Sequence, residues 1–549
     1  MMGVGSERVW DSERRSKAER MQAAAAYASG KIVKSEDIIK LLEAVIHAGD
    51  IVAIEGDNQK QAADLARALV QVDPQKVHGL HMIMSCPHMK EHLDIFEKGI
   101  AKRLDFSFAG NAAKRIPEML KAGTLEIGAI HTYLELYARM FTDLIPKVCL
   151  CVAEEADKAG NLYTGCNTEE TPTIIEAGAF KNGIVIVQVN RIVDKVTRVD
   201  VPGEWVDYVM ESAEPCSIEP LMTRDPKWIK DVHVLQGMMA IKGIYARHKV
   251  TCMNHGIGFN TASIELLLPT YGEELGLKGQ ICRNWVSNPI PAMIPAIESG
   301  WIESCVAFGS ELGMEEYVAQ RPDVFFTGID GSLRSNRAIA QTSGLYSIDM
   351  FTGSTLQMDR DGNSSTVTKD RITGFGGAPN MGSNPLGRRH CSPAWNSMKL
   401  NPDDPMARGR KLVTQMVRTT TKAGPTFVDQ LDAVEVGKNA GFAEPPVMIY
   451  GEDVTHLITE VGLGYVYMGR NREERREIIA AVAGDTPVGH TITEKRIKEL
   501  RSEGKVMFPQ DLGIDPSEAT RERLAAKNMK EITEWSHGLY KMPAQFDWE

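Results

Sequence analysis

At 549 residues the chain exceeds what one hydrophobic core usually holds, which predicts at least two domains. Apolar residues make up 43% and charged residues 25%, an ordinary globular balance that excludes disordered and fibrous classes. A net charge of −11 argues against nucleic acid or an anionic membrane surface as a partner, and no apolar run approaches the roughly 20 residues of a membrane helix.

The N-terminus is charged, then alanine-rich, and lacks the apolar centre of a secretory signal, so residues 1–29 are predicted as a helical lead of a cytoplasmic protein. From Ser35 onward helical and extended patterns alternate. Ile38 to Ile46 has helical apolar spacing, and Gly49-Asp50 is a turn. Ile51 to Ile54 is a short strand ending at Glu55-Gly56, and Ala62 to Val70 is helical again. Strands separated by helices predict a mainly parallel sheet covered on both faces.

The chain also repeats itself. The strand, glycine and helix that begin at Ile51 recur at an offset of 200 residues, from Thr251 through His255-Gly256 to Leu268. Asp157-Lys-Ala-Gly160-Asn161 recurs at an offset of 202 as Asp359-Arg-Asp-Gly362-Asn363, each Gly-Asn pair suiting a tight hairpin turn. The duplication predicts a first α/β domain over 30–225 and a second over 226–489. A charged helical tail over 490–549 ends in Trp535, Tyr540, Phe546 and Trp548 and is expected to pack on its own chain. Nine scattered cysteines without a CxxC read as reduced thiols. His78, His81, His88 and His92 lack the spacing of a metal site and read as structural.

Three glycine-bearing loops stand out. Glu55-Gly56-Asp57-Asn58 is expected to open a helix and present backbone N–H groups to an anion or a developing oxyanion. His255-Gly256-Ile257-Gly258 repeats that arrangement, and neither loop matches the P-loop or the dinucleotide fingerprint. The third runs Thr373-Gly374-Phe375-Gly376-Gly377 to Asn380, and so many glycines suggest a backbone lying against a ligand.

Residues Gln341 to Gly353, followed by Gly374-Phe-Gly-Gly377, resemble the second-half signature of coenzyme A transferases. His456-Leu-Ile-Thr-Glu-Val-Gly462 is similar to that family's later VTExG stretch. Gly56-Asp-Asn-Gln-Lys60, Ile127 to Tyr133, Gly160 to Gly165, Asn254 to Phe259 and Gly328 to Ser332, taken in order, resemble the alpha subunits of malonate decarboxylases over nearly the whole chain. The resemblance implies an α/β fold of two homologous coenzyme A transferase-like (NagB/RpiA-type) domains with the active site between them. It implies an enzyme that converts acetyl carrier protein and malonate into malonyl carrier protein and acetate. The implied partners are the acyl carrier protein subunit, the decarboxylase beta and gamma subunits, malonate and acetate. No permanently bound cofactor is implied; the carrier's phosphoribosyl-dephospho-coenzyme A arm, or coenzyme A in its place, is the group held.

In coenzyme A transferases a glutamate nucleophile forms a covalent thioester, and alignment on the helix ending at Gly300 brings that position to Asn288, which cannot serve. No carboxylate lies between Glu274 and Glu298. Direct attack by malonate is therefore expected, with Asn288 orienting a carboxylate or donating to the oxyanion, and with Gly56, Asp57 and Asn58 as further donors. Gly256, Gly258, Gly374, Gly376, Gly377 and Asn380 are expected along the thioester arm, and Arg334, Arg337, His131 and His255 around malonate's second carboxylate. Glu311 and Glu315 read as helix-face carboxylates. Two other readings stay open: a two-step coenzyme A transferase or acyl-CoA hydrolase on free thioesters, and a non-catalytic scaffold subunit.

Overall fold

The computed structural model describes residues 9–56, 60–214 and 225–546, in two compact units. One comprises the chain to Glu219 together with Asp370–Gly376, and the other comprises Pro220–Lys369 with Gly377 onward. The short excursion matters, because it assigns the first half of the third glycine loop, Thr373–Gly376, to the first unit although its sequence belongs to the second half.

In the first unit the sheet runs in the order Glu126–Ile130, Ala101–Phe106, Leu80–Met84, Ile51–Ile54, Val148–Ala156, Ile184–Ile192, Tyr208–Glu211, Ile32–Val33. These neighbours are all parallel. The central strands are apolar along their whole length, as burial on both faces demands: every residue from Ile184 to Val189 is buried. The leading helix is Val9–Ala24, and its Arg20 pairs with buried Asp50.

The second unit's sheet runs Ser304–Val306, Asn284–Val286, Cys252–His255, Met350–Gly353, Leu412–Met416, His456–Ile458, again parallel, before two antiparallel strands at Leu463–Gly464 and Val506–Met507. Setting aside the first sheet's outer strands Glu126–Ile130 and Ile32–Val33, the parallel strands of the two sheets follow the same order. The repeated turns agree in detail. Gly160 has φ +85° and Gly362 φ +88°. In each turn the aspartate Oδ1 accepts from the N–H groups two and four residues on, and the asparagine Nδ2 donates to Oδ2. Each asparagine Oδ1 then accepts from a distant glycine N–H, Gly203 for Asn161 and Gly451 for Asn363, both at 2.9 Å. Such a match through unlike surroundings marks one ancestral unit used twice.

The tail packs on its own unit: Ile514, Leu524, Met529, Ile532, Tyr540 and Phe546 are buried in the core that holds Trp285 and Trp301. Among the described residues no helix is long and apolar enough to cross a membrane.

Candidate active site

In a parallel α/β sheet ligands bind beyond the carboxyl ends of the strands, so each sheet's C-terminal edge is the place to read. The two edges have diverged.

The first unit's edge carries buried carboxylates. Glu55 Oε2 accepts from the Val152 N–H at 3.0 Å, its Oε1 accepts from Thr171 Oγ1 at 2.5 Å, and Lys60 Nζ lies 3.5 Å away. Glu170, fully buried, accepts from Ser85 Oγ and from the Tyr137 hydroxyl, both at 2.7 Å. Glu55 and Lys60 flank the first glycine loop in the sequence, but Ser85, Tyr137, Glu170 and Thr171 did not emerge from it, since isolated Ser, Tyr, Thr and Glu carry no spacing signal until the fold collects them. Gly56 sits among them with its carbonyl bonded by Cys86 N–H and Ser85 Oγ, and a Cβ there would meet Gln61 Oε1 at 2.8 Å and His92 Cε1 at 2.9 Å. Close packing thus explains this glycine. Asp57 and Asn58 lie outside the described residues. The expected helix start at this loop is corrected: the helix is Ala63–Leu69, seven residues beyond Gly56, so its N-terminus does not lie at the glycine.

His131 is buried with Nε2 2.7 Å from Asp105 Oδ1 and Nδ1 3.4 Å from Glu135 Oε2. Burial pushes the Asp105 carboxyl up, but hydrogen bonds from His131 and His81 outweigh it and hold it well below the usual carboxylate range. His131 moves oppositely: burial lowers it, while Asp105 and Glu135 prevail and raise it. His131 is thus committed to Asp105 through Nε2, while its buried Nδ1 faces Glu135 without a hydrogen bond. His92 accepts from the His88 and Met89 N–H groups through Nδ1, and burial pushes it down to about 3.

The third loop docks onto this same unit. Gly374 bridges Phe108 and Gly376 bridges Thr132, while Phe375 and Gly376 both donate to the Ser107 carbonyl, at 2.7 and 2.9 Å. Gly374 (φ +76°) must be glycine twice over, since a Cβ would also meet Ser107 O at 2.4 Å. The backbone that was expected to lie against a ligand therefore lies against the end of a neighbouring strand, and the Gly376 N–H is already bonded. Gly377 differs. It begins the turn Ala378–Met381 in the second unit, a Cβ there would meet the Gln341 amide at 2.6 Å, and among the described residues its N–H has no acceptor. Asn380 Nδ2 donates to Gln341 Oε1 at 3.0 Å. Lys411 Nζ then donates to the carbonyls of Gly344, Asn380 and Met381, tying this turn to helix Arg337–Tyr346, and its burial brings the ammonium down to about 7.

The second unit's edge is neutral. The strand registers place Gln415 beside Gly353, Thr352 beside His255 and Met253 beside Trp285. Carried one residue on, they align Gly256, Gly353 and Gln415 across three strands, and Asn288 stands two residues beyond the neighbouring strand Asn284–Val286. The Gly256 N–H donates to Thr352 O at 2.8 Å, and a Cβ on Gly256 would meet Gly353 Cα at 3.3 Å. Here the loop does open a helix: Gly258 precedes Phe259–Leu267, and Thr261 Oγ1 donates back to Gly256 O at 2.6 Å.

On the opposite face lies His255, the next residue along the strand. Its Nδ1 is 3.0 Å from Glu265 Oε1, and its Nε2 is 2.9 Å from the Tyr245 hydroxyl, which also meets Thr352 Oγ1 at 2.8 Å. Tyr245 closes a π turn, Ile241–Tyr245, whose extra residue re-aims the side chain at the sheet. Both nitrogens of His255 are engaged, so it supports the strand and does not clamp a substrate carboxylate. Arg334 is half-buried on a loop whose backbone N–H bonds Phe326 O, and Arg337 is buried in the first turn of its helix, where a cation opposes the dipole. Glu311 is buried, and burial raises Glu315.

A family model described as malonate decarboxylase, alpha subunit, transporter matches residues 9–548. The acetyl-S-ACP:malonate ACP transferase of Malonomonas rubra is 54% identical over 548 residues, covering 98% of this chain and 99% of that protein. The crystal structure of a malonate decarboxylase alpha subunit from Acinetobacter baumannii superposes with a TM-score of 0.96 at 57% identity, covering 98% of this chain and all of that one. A chain of the Pseudomonas malonate decarboxylase hetero-tetramer, solved in complex with malonate, gives 0.97 at 56% identity, covering 99% and 100%. An acyl-CoA transferase from Escherichia coli O157:H7 shares the fold at 14% identity, with a TM-score of 0.51 over 79% of this chain and 88% of that one. With its fold of two coenzyme A transferase-like halves, the chain belongs to the malonate decarboxylase alpha-subunit family.

Proposed function

We propose that this chain catalyses the exchange acetyl-S-ACP + malonate → malonyl-S-ACP + acetate, working with an acyl carrier protein and the beta and gamma subunits of a malonate decarboxylase. The group it handles is the carrier's phosphoribosyl-dephospho-coenzyme A arm. The observation that supports the chemistry is the second unit's edge, where Gly256 and Gly353 stand beside Gln415, with Asn288 two residues beyond the neighbouring strand and no carboxylate among these four.

A malonate carboxylate oxygen bonds to the acetyl carbonyl carbon and the C–S bond breaks, giving a mixed anhydride and a thiolate. The thiolate then attacks the malonyl carbonyl of the anhydride, and acetate leaves. Each step builds negative charge on a carbonyl oxygen, so donors count for more than a base. Asn288 and the Gly377 N–H are the donors this reading favours. Lys411, Gln341 and Asn380 hold the turn that presents Gly377. A carboxylate among those four residues would repel malonate, and the buried glutamates make the first unit's edge the poorer host.

The test is isotope exchange between labelled acetate and acetyl carrier protein by the isolated chain, with malonate as competitor. Exchange that malonate suppresses supports the proposal. Complete absence of exchange favours a scaffold, and equal exchange with free acetyl-CoA favours a two-step coenzyme A transferase.

A further inference from the structure

Gln415 lies in Leu412-Val-Thr-Gln-Met416, a stretch that reads as plain core strand, and it is fully buried. Among the described residues neither its Nε2 nor its Oε1 has a hydrogen-bond partner. Native proteins satisfy the great majority of buried polar groups, and an amide lacking partners at both ends is best accounted for by a ligand.

Its position gives the ligand's direction. Gln415 stands beside Gly353, with Gly256 on the next strand over. Two strand spacings separate Gln415 from Gly256, roughly 10 Å at about 4.8 Å each. The Phe351 ring stands over Gly353, its Cζ 2.5 Å from where a Cβ there would lie, so an extended chain reaches Gln415 beside that ring and not across Gly353. The residues that share Gln415's side of the sheet place the turn of Gly377 there too: Phe351 has the same parity, and a Cβ on neighbouring Gly382 would meet its ring at 3.1 Å.

The unmet atoms give the ligand's chemistry. Nε2 donates and Oε1 accepts, so a partner that satisfies both must accept and donate in turn. A carboxylate only accepts. A secondary amide does both. In a pantetheine-type thioester arm a two-carbon spacer separates the sulfur from the first amide, so an amide can reach Gln415 with the thioester carbonyl held on the same side of the sheet, where the Gly377 turn lies.

We infer that Gln415 is a binding residue for the thioester arm, gripping an amide of its pantetheine-type portion through both ends of the side chain. This rests on the transferase reading for the identity of the arm, but its test does not. Reduced pantetheine and propanethiol, which lacks the amides, are each added to the wild-type chain and to Gln415→Met, and thermal unfolding is followed. Pantetheine should raise the wild-type midpoint, propanethiol should not, and Gln415→Met should lose most of the pantetheine shift.

Acetyl-pantetheine used as donor should show a KM raised on the order of tenfold in Gln415→Met, the loss expected for a two-ended hydrogen bond, with kcat changed much less. Should the methionine variant not fold, Gln415→Asn keeps the amide but withdraws it by one methylene, and it should fall between the two. An unshifted wild-type midpoint, or a variant that matches wild type in both shift and KM, overturns the inference. If wild type binds pantetheine through Gln415 yet exchanges nothing, the transferase reading fails and the binding site stands.

Discussion

The two sheets share one strand order and one hydrogen-bonded turn, yet their C-terminal edges have become chemical opposites. The first holds Glu55 and Glu170 in a buried network with Lys60, Ser85, Tyr137 and Thr171. The second sets Gly256, Gly353 and Gln415 side by side, with uncharged Asn288 two residues past the neighbouring strand. A duplicated scaffold is kept by packing and turn geometry, which tolerate little change, whereas strand ends are free to diverge once one copy suffices for chemistry. The contrast fits the proposal that the first edge does structural work and the second carries the thioester exchange.

Gly374→Ala should break the arrangement most severely. The substitution forces a left-handed residue, and its Cβ overlaps Ser107 O at 2.4 Å. About 2–4 kcal/mol is at stake, enough to release the loop from the first unit. Exchange should fall by about a hundredfold or more, with hydrogen exchange rising at Phe108 and Ala109. Asn288→Ala should lower kcat/KM by roughly a hundredfold if its amide meets the oxyanion, the usual loss for one such donor, with the melting midpoint little changed.

Glu170→Gln sharpens the contrast from the other side. It weakens two charge-assisted hydrogen bonds, each contributing about 1.5–3 kcal/mol, so the unfolding midpoint should drop by several degrees while the KM for malonate holds. An altered malonate KM would move the chemistry toward the first edge.

The smallest effect is a pH dependence. His248 and His456 lie buried with their Nε2 atoms 3.2 Å apart, and burial lowers both, His248 to about 4. A histidine with a depressed folded pKa is neutral when native, so below about 6.5 the unfolded chain takes up the proton first. Its contribution to stability is full above 6.5 and is lost as pH falls toward 4. His248→Asn should flatten that part of the stability curve, measured by urea unfolding between pH 7 and 4.5.

Much of the frame was legible beforehand. Apolar runs separated by helical spacing gave parallel sheets, and the Asp-x-x-Gly-Asn repeat exposed the duplication because a turn's needs are local. What stayed hidden depends on distance along the chain. Nothing near Gly374 says that Ser107, far upstream, would receive its loop, so glycines that serve docking read as glycines that serve a ligand. His131 and His255 read as clamps because their partners, Asp105 and Glu265, become visible only when the fold assembles them. Gln415 was passed over because its neighbours are those of a core strand.

In the proposed mechanism the second edge transfers the acyl group without lending it a carboxylate. Acetyl carrier protein with a labelled acetyl group, incubated with the chain and then trapped with hydroxylamine, tests this by mass spectrometry of the peptides. No hydroxamate is expected on any glutamate or aspartate of this chain while exchange proceeds; a stable acyl-derived hydroxamate on any one of them overturns the direct route.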